Sequence, residues 1–256
     1  MKTIAYQLKT SLLQLFPTNK HRSILIGLVL IAASISVSEL AVTKLFTKII
    51  LHEGTLSKAK LIILIGAFFL FFGITRAGHY AQRIYRVNVF DKAFKSSKTG
   101  VTAAQENWRW SLAFELTTLL GVITQILVIV IFFTYLNSFF GILNILVLLV
   151  VVEILGRIFA KQIEAQRGFV TARKNKIPVS NFERIGTRIK SGEFGILISG
   201  FSLIFLLAAL IYFSYKGDIS RSNTIVLFFG LRMQNSSLAT FSTSLMRFAR
   251  ARTNSE

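Results

Sequence analysis

The sequence predicts an all-α, polytopic membrane protein with six transmembrane helices, an N-terminal amphipathic elbow helix and two cytoplasmic helical extensions. Of its 256 residues, 53% are hydrophobic, and the mean hydropathy is +0.60. These apolar residues come in long blocks, whereas a soluble domain distributes them in stripes of helical or strand period. Lys and Arg, which give the chain a net charge of +19, lie mainly between the blocks, as in membrane proteins.

Charge and cysteine content limit the classes of partner. A basic chain can bind nucleic acid, but cations placed between apolar blocks have a membrane explanation, so we expect lipids and no nucleic acid as partners. The chain has no cysteine, which excludes disulfides and thiolate metal sites. Its three histidines, His21, His52 and His79, lie far apart in sequence. No metal or cofactor is therefore expected in this chain.

Residues 1–22 predict an amphipathic elbow helix followed by a basic turn. Apolar residues recur there every three or four positions: Ile4, Leu8, Leu12 and Leu15. The opposite side carries Lys2, Gln7, Lys9 and Gln14. Pro17 is expected to end the helix, which would lie in the plane of the membrane interface.

The first span begins with the apolar residues 24–33, directly after the basic residues 20–22. Ser36 and Ser38 resemble a signal-peptidase site, but a cleaved signal normally has a shorter leader, which favours a retained span. One face of the span is polar: Ser36, Glu39, Thr43 and Thr47. A carboxyl group in this position should be paired, protonated or exposed to water.

Span two covers residues 61–74, and its helix is expected to leave the membrane and continue into the first extension, residues 76–110. One side of this helix carries Arg76, His79, Arg83 and Arg86. The extension turns at residues 96–100. The spacing of Thr102 and Gln105 then predicts a capping box, in which each side chain accepts a hydrogen bond from the other residue's backbone N–H.

Spans three and four are joined by a short outer turn. Span three, residues 112–136, embeds the polar residues Glu115, Thr118 and Gln125. Span four covers residues 142–155, and its helix continues into the second extension, residues 157–192. Within that extension, Ser180 and Glu183 again have the spacing of a capping box.

Span five, residues 197–213, is apolar almost all round, as is span four. Span six starts at Thr224 and becomes polar further along: Arg232, Gln234, Asn235, Ser236, Ser237, Thr240 and Thr243. Because hydrocarbon cannot satisfy such groups, we expect them to face the bundle interior or a wet cavity. The transmembrane domain thus covers residues 23–248, and residues 249–256 form a cytoplasmic tail.

Positive charge is distributed unequally between the two sides of the predicted bundle. The first extension holds seven Lys and Arg residues, the second holds nine and the C-terminal end holds three, against six on the opposite side. By the positive-inside rule, both termini and both extensions lie in the cytoplasm. We expect an integral protein of the bacterial inner (plasma) membrane.

This layout resembles the transmembrane domain of ABC exporters of the type IV fold, without a fused nucleotide-binding domain. The matching parts are the elbow, residues 3–16, the extension tips, residues 96–100 and 174–180, the turn at 215–218 and the end of span six, residues 244–252. The resemblance covers nearly the whole chain and rests on its layout. It implies a translocation pathway formed by a homodimer or heterodimer, with ATP and Mg²⁺ bound by a separate ATPase subunit.

Two sets of functional residues follow. The resemblance implies that the extension tips dock the ATPase: Lys98, Thr99, Gly100, Lys174, Lys176 and Ser180. The polar faces of spans one, three and six supply the candidate cavity: Ser36, Glu39, Thr43, Glu115, Thr118, Gln125, Arg232, Asn235, Ser236, Thr240 and Thr243.

Motifs for catalysis are scarce. The nearest approach to a phosphate loop, residues 73–80, has His where the phosphate-binding Lys belongs and lies in a helix, so no ATPase activity is expected of this chain. Glu39, Glu115 and Glu153 are embedded, but no two share one helix face. These glutamates either pair with Arg232 or neighbouring Lys residues or line the cavity, and Glu153 favours the structural role.

A second class of function stays open beside the exporter subunit. The chain can equally keep the bundle without transporting anything and act as a membrane scaffold or regulatory subunit of a larger complex. A separate ATPase that copurifies with the chain would favour the exporter. Apolar walls with a few polar groups suit lipids, hydrophobic peptides and drug-like compounds alike, so no substrate is selected.

Overall fold

A computed structural model describes residues 1–16, 18–51, 57–95 and 102–255 of the chain. This part consists of seven α-helices and the segments between them, without any strand. The helices are α1 (Lys2–Leu15), α2 (Asn19–Ile50), α3 (Lys58–Lys95), α4 (Ala103–Leu136), α5 (Ser138–Lys174), α6 (Asn181–Lys216) and α7 (Arg221–Ser255). The predicted all-α class is confirmed.

Helices α2 to α7 are long, with 32 to 38 residues each. At 1.5 Å per residue they measure about 48 to 57 Å, whereas the hydrocarbon core of a bilayer is about 30 Å thick. α3 continues to Lys95, and α5 continues to Lys174 before α6 starts at Asn181. The chain is thus helical on both sides of each predicted extension tip.

Five of the described helices, α2 to α6, are long and apolar enough to cross a membrane, as an integral membrane protein requires. The sixth predicted span lies in α7, which is as long but does not belong to this set. Arginines, amides and hydroxyls interrupt its apolar residues throughout.

α7 lies at the centre of the bundle. It packs against α2, α4, α5 and α6, and 17 of its 35 residues are buried, more than in any other described helix. α3, by contrast, packs mainly against α2 and exposes most of its large apolar side chains. The most polar of the long helices is therefore the one that its neighbours cover.

Small residues let α6 and α7 approach each other closely. The backbone carbonyl of Gly192 accepts a hydrogen bond from Ser242 Oγ at 2.9 Å. At Gly195, one turn further along α6, a Cβ atom would lie 2.7 Å from Leu155 Cδ2 and 2.9 Å from Ser242 Cβ, which is closer than side chains pack. Membrane helices commonly use glycine and serine for such contacts.

The two predicted capping boxes have different outcomes. At the start of α4 the box is present: Gln105 N donates to Thr102 Oγ1, and Thr102 N donates to Gln105 Oε1. At the start of α6 the prediction is wrong. Ser180 Oγ accepts from the N–H of Phe182 at 3.1 Å, so the cap is made one residue earlier than the box with Glu183 requires.

The N-terminal helix α1 is present, and Ile4 and Leu8 are buried where it packs against α4 and α5. Its predicted polar side is partly wrong, because Gln7 is buried. Gln14, on the same predicted side, accepts a hydrogen bond from Arg252 Nη1 near the end of α7. Protein therefore covers part of the side that the pattern assigns to water.

Gly195→Ala is expected to lower the free energy of unfolding by about 1–3 kcal/mol, because the added methyl group overpacks the contact between α6 and α7. Reversible unfolding in mixed micelles, followed by circular dichroism, measures the change. Gly200→Ala on the same helix is the matched control, since no described atom lies within 4 Å of its Cβ position. Equal unfolding free energies for the two variants would contradict the close approach.

Candidate functional site

Helices α2, α3 and α4 contribute polar side chains to one region of the bundle. One face of α4 carries polar residues at intervals of three and seven positions: Glu115, Thr118 and Gln125. One face of α3 does so at intervals of three and four: His79, Gln82 and Arg86. Such intervals keep side chains on one side of a helix, so the helices themselves align these groups.

A small polar pocket lies between these helices, with a volume of about 150 Å³. At about 30 Å³ per molecule, it has room for about five waters. More than half of its wall residues are polar, and the full set is Ala32, Ile35, His79, Gln82, Arg86, Thr118, Gly121, Val122 and Gln125. Two predicted cavity residues, Thr118 and Gln125, thus meet here with three polar residues of α3.

Arg86 is the cation of the polar pocket. Its Nη1 donates to Thr118 Oγ1 at 3.2 Å, and Thr118 in turn donates to the carbonyl of Phe114 at 2.8 Å. The Arg86 guanidinium also lies 5.9 Å from the centre of the Phe114 ring. Its Nε is buried and makes no hydrogen bond within the described part of the chain. One threonine therefore holds the guanidinium in place at the wall of the polar pocket.

Glu39 reaches the same region from α2. Its Oε1 lies 3.4 Å from Nε2 of His79, which lines the polar pocket. The two side chains are 31% and 46% exposed, so the contact is open on one side. The expected partner of this carboxylate, Arg232 or a neighbouring Lys, is thus replaced by a histidine on the adjacent antiparallel helix.

Glu115 forms an ion pair with a residue of α7 and does not line the polar pocket. Its Oε1 accepts from Arg247 Nε at 2.9 Å, and its side chain is only 16% exposed. Arg247 Nη2 also donates to Ser244 Oγ at 3.1 Å. Glu153, by contrast, lies within 2.9 Å of the Met1 amino group and 3.3 Å of Arg157 Nε, which agrees with its predicted structural role.

Three predicted cavity residues form an exposed stripe on α7, the α7 polar stripe: Arg232, Ser236 and Thr240. They are spaced by four residues and lie on one side of the helix. Thr240 Oγ1 donates to the carbonyl of Ser236 at 3.0 Å. Within the described residues, Arg232 has no ion pair or hydrogen bond from its side chain. The structure therefore does not bring this stripe into the polar pocket.

The remaining cavity candidates mostly bond to their own helices. Ser36 is buried and donates to the carbonyl of Ala32, and Thr43 donates to the carbonyl of Glu39, each at 3.0 Å. Thr243 donates to the carbonyl of Ala239 at 3.2 Å. Asn235 is half-buried, and its Oδ1 has no hydrogen bond within the described part of the chain.

Sequence reasoning missed a buried amide pair between α5 and α7. Asn144 Nδ2 donates to Gln234 Oε1 at 2.9 Å, and Gln234 Nε2 donates back to Asn144 Oδ1 at 2.8 Å. Both side chains are almost completely buried. The signal in the sequence is a single asparagine within the otherwise apolar residues 142–152. Each amide satisfies the other, which allows both to lie inside the bundle.

The second extension tip is exposed, and it carries three of the predicted docking residues: Lys174, Lys176 and Ser180. The other three, Lys98, Thr99 and Gly100, lie outside the described residues.

Positive charge also gathers where α6 begins and α7 ends. The guanidinium of Arg250 lies 5.3 Å from the centre of the Trp108 ring. Burial, followed by repulsion from Arg188 and Arg184, lowers the pKa of Arg250, although an arginine stays charged at physiological pH. An acidic surface placed against this end would relieve the repulsion.

No group of three His, Cys, Asp or Glu residues suited to a metal ion occurs in the described ranges. Comparison with the models of known protein families and with curated proteins found no match to this chain.

A cysteine placed at Gln125 should react with a small charged methanethiosulfonate in proteoliposomes, because the polar pocket is suited to hold water and the thiolate is the reactive form. The chain has no other cysteine, so labelling is unambiguous. Ile131→Cys is the control on α4, since Ile131 is 68% exposed on an apolar surface. We expect residue 125 to react about tenfold faster or more, because apolar surroundings disfavour the thiolate. Equal rates would show that the pocket excludes water.

Proposed function

We propose that this chain is the membrane-spanning subunit of an ABC exporter-like complex, which forms a translocation pathway as a dimer and relies on a separate ATPase subunit. The observation that carries the proposal is the α7 polar stripe. It is exposed on the helix that is otherwise the best covered in the bundle. Hydrocarbon cannot satisfy the guanidinium of Arg232, whereas a second copy or a related chain can enclose it together with Ser236 and Thr240.

The neighbouring helices bury much of α7, which also supports the proposal that α7 is the sixth span. With 35 residues it is about 52 Å long, enough to cross the membrane. Its inward polar groups are bound by other helices, as in the pairs of Gln234 with Asn144 and of Arg247 with Glu115. Together with α2 to α6 and with α1 in the interface, it would complete the elbow and six-span layout.

The polar pocket would supply further polar groups of the translocation pathway. Ionisable side chains at membrane depth commonly belong to substrate or ion pathways. His79 and Arg86 retain contact with open space, and Glu39 is partly exposed beside them. Alternating access would then require these helices and α7 to move relative to their counterparts in the second subunit.

The hairpin of α5 and α6 is suited to receive force from an ATPase. Its tip is exposed, and its helices continue without interruption into the bundle. α6 packs tightly against α7 through Gly192 and Gly195, so a displacement of the tip would reach the α7 polar stripe. The positive charge at this end suits an acidic partner.

One observation favours the second candidate, a scaffold or regulatory subunit without transport. The charged residues inside the bundle are largely engaged by protein groups, as in Glu115 with Arg247 and Glu39 with His79. Such engagement is also what a static bundle requires. In that case, the positively charged region where α6 begins and α7 ends would bind another acidic protein or anionic lipid headgroups.

Association through the α7 polar stripe is expected to bring Thr240 of two subunits close together. Thr240→Cys should therefore form a disulfide-linked dimer when native membranes are oxidised. Phe201→Cys on α6 is the control, because Phe201 is 64% exposed on an apolar surface that suits lipid. A monomer for Thr240→Cys, or equal crosslinking of both variants, would count against a pathway formed by two copies of this chain.

Coupling to an ATPase is expected to depend on the second tip. With an ATPase that copurifies in mild detergent, Lys174→Glu/Lys176→Glu should lower coupled ATP turnover by about tenfold or more, equivalent to about 1.4 kcal/mol of lost contact energy. Arg221→Glu, a charge reversal at the opposite end of the bundle, should leave turnover unchanged. If no ATPase copurifies, or if all samples turn over ATP equally, the scaffold becomes the better reading.

A further inference from the structure

A second, larger cavity has the opposite chemical character. It is a groove of about 550 Å³ between α1, α4 and α5, and we call it the apolar groove. Its walls are almost entirely carbon, with Phe241 of α7 contributing to them from the bundle core. The full set is Met1, Lys2, Ile4, Ala5, Leu8, Ile123, Ile126, Leu127, Val130, Ile145, Leu148, Leu149, Val152 and Phe241.

Water is a poor occupant of the apolar groove. A buried water needs two to four polar partners, and the walls offer almost none. The α4 and α5 walls belong to helices that are long and apolar enough to cross a membrane, so we expect lipid chains to surround the groove. Its volume is within the range of pockets that hold a small molecule. A flexible hydrocarbon chain is the occupant that this environment supplies.

Cationic side chains lie at one end of the apolar groove. Lys2 lines it directly, and the amino group of Met1 lies 2.9 Å from Glu153 Oε2. The other oxygen of Glu153 is 3.3 Å from Arg157 Nε, whose side chain is 77% exposed. Two cationic side chains, Lys2 and Arg157, thus accompany one carboxylate, which leaves the end positive.

We propose that the apolar groove binds one acyl chain of an anionic glycerophospholipid, taken from the leaflet at whose surface α1 lies. The chain would run between α4 and α5 beneath α1, and the phosphate would contact Lys2 and Arg157. The exposed guanidinium of Arg157 suits phosphate, because its N–H groups form a fork that matches phosphate oxygens. The bound lipid would hold α1 against the bundle. This lipid site does not depend on whether the protein is an exporter subunit or a scaffold.

Native mass spectrometry tests the site with the full chain in vesicles of phosphatidylcholine that contain a minority of phosphatidylglycerol. The wild type should retain one phosphatidylglycerol in preference to phosphatidylcholine. Leu149→Trp should lower that retention by about tenfold or more, because the indole occupies the groove. Leu149 is about half-exposed, so the larger ring can be accommodated without disturbing the core. Leu146→Trp is the matched control on the same helix, since Leu146 is similarly exposed but does not line the groove.

A charge variant separates headgroup recognition from chain binding. Lys2→Gln/Arg157→Gln should remove the preference for phosphatidylglycerol, whereas Arg173→Gln, near the exposed tip of α5, should retain it. The proposal is overturned if the wild type retains both lipids equally, if Leu149→Trp retains phosphatidylglycerol as the wild type does, or if the charge variant keeps the preference.

Discussion

A buried polar group needs a hydrogen-bond partner, and that constraint falls most heavily on α7. A buried polar group that stays unsatisfied costs about 1–3 kcal/mol, and α7 carries polar residues along most of its length. The bundle satisfies many of them from within: Asn144 pairs with Gln234, Glu115 binds Arg247, and several hydroxyls donate to carbonyls one turn earlier. The central position of α7 is the geometric consequence, since only a surrounded helix can find partners in several directions.

The other helices differ in how closely they pack around α7. α6 presents glycines to α7 on one side and large apolar residues to the surroundings on the other. α4 contributes Phe133, which lies against Gly230 of α7 and is completely buried. α3 takes little part in this enclosure, and its polar face contributes to the pocket beside α4 instead. The bundle thus has a tightly packed part around α7 and a looser part around α3.

Much of the fold could be predicted from the sequence, because long apolar runs and the cap at Thr102 depend on nearby residues only. Periodicity also identified the polar faces of α2 and α4. It could not identify their partners, since the spacing along one helix does not say which neighbour lies opposite. His79 beside Glu39 and Asn144 beside Gln234 are therefore products of tertiary packing. Gln7 was misplaced for the same reason, because a pattern cannot distinguish protein from water on a polar side.

The reciprocal pair of Asn144 and Gln234 has a mechanical consequence. A slip of α5 past α7 by one turn, about 5.4 Å, would break both hydrogen bonds of this pair. The pair therefore fixes the axial register of α5 against α7. The two helices can tilt together, but the pair opposes sliding between them. α6 is joined closely to α7 at Gly192, so α5, α6 and α7 form one packed unit. α2 and α4 pack directly against α7, whereas α3 packs mainly against α2, so α3 is the long helix freest to shift relative to this unit.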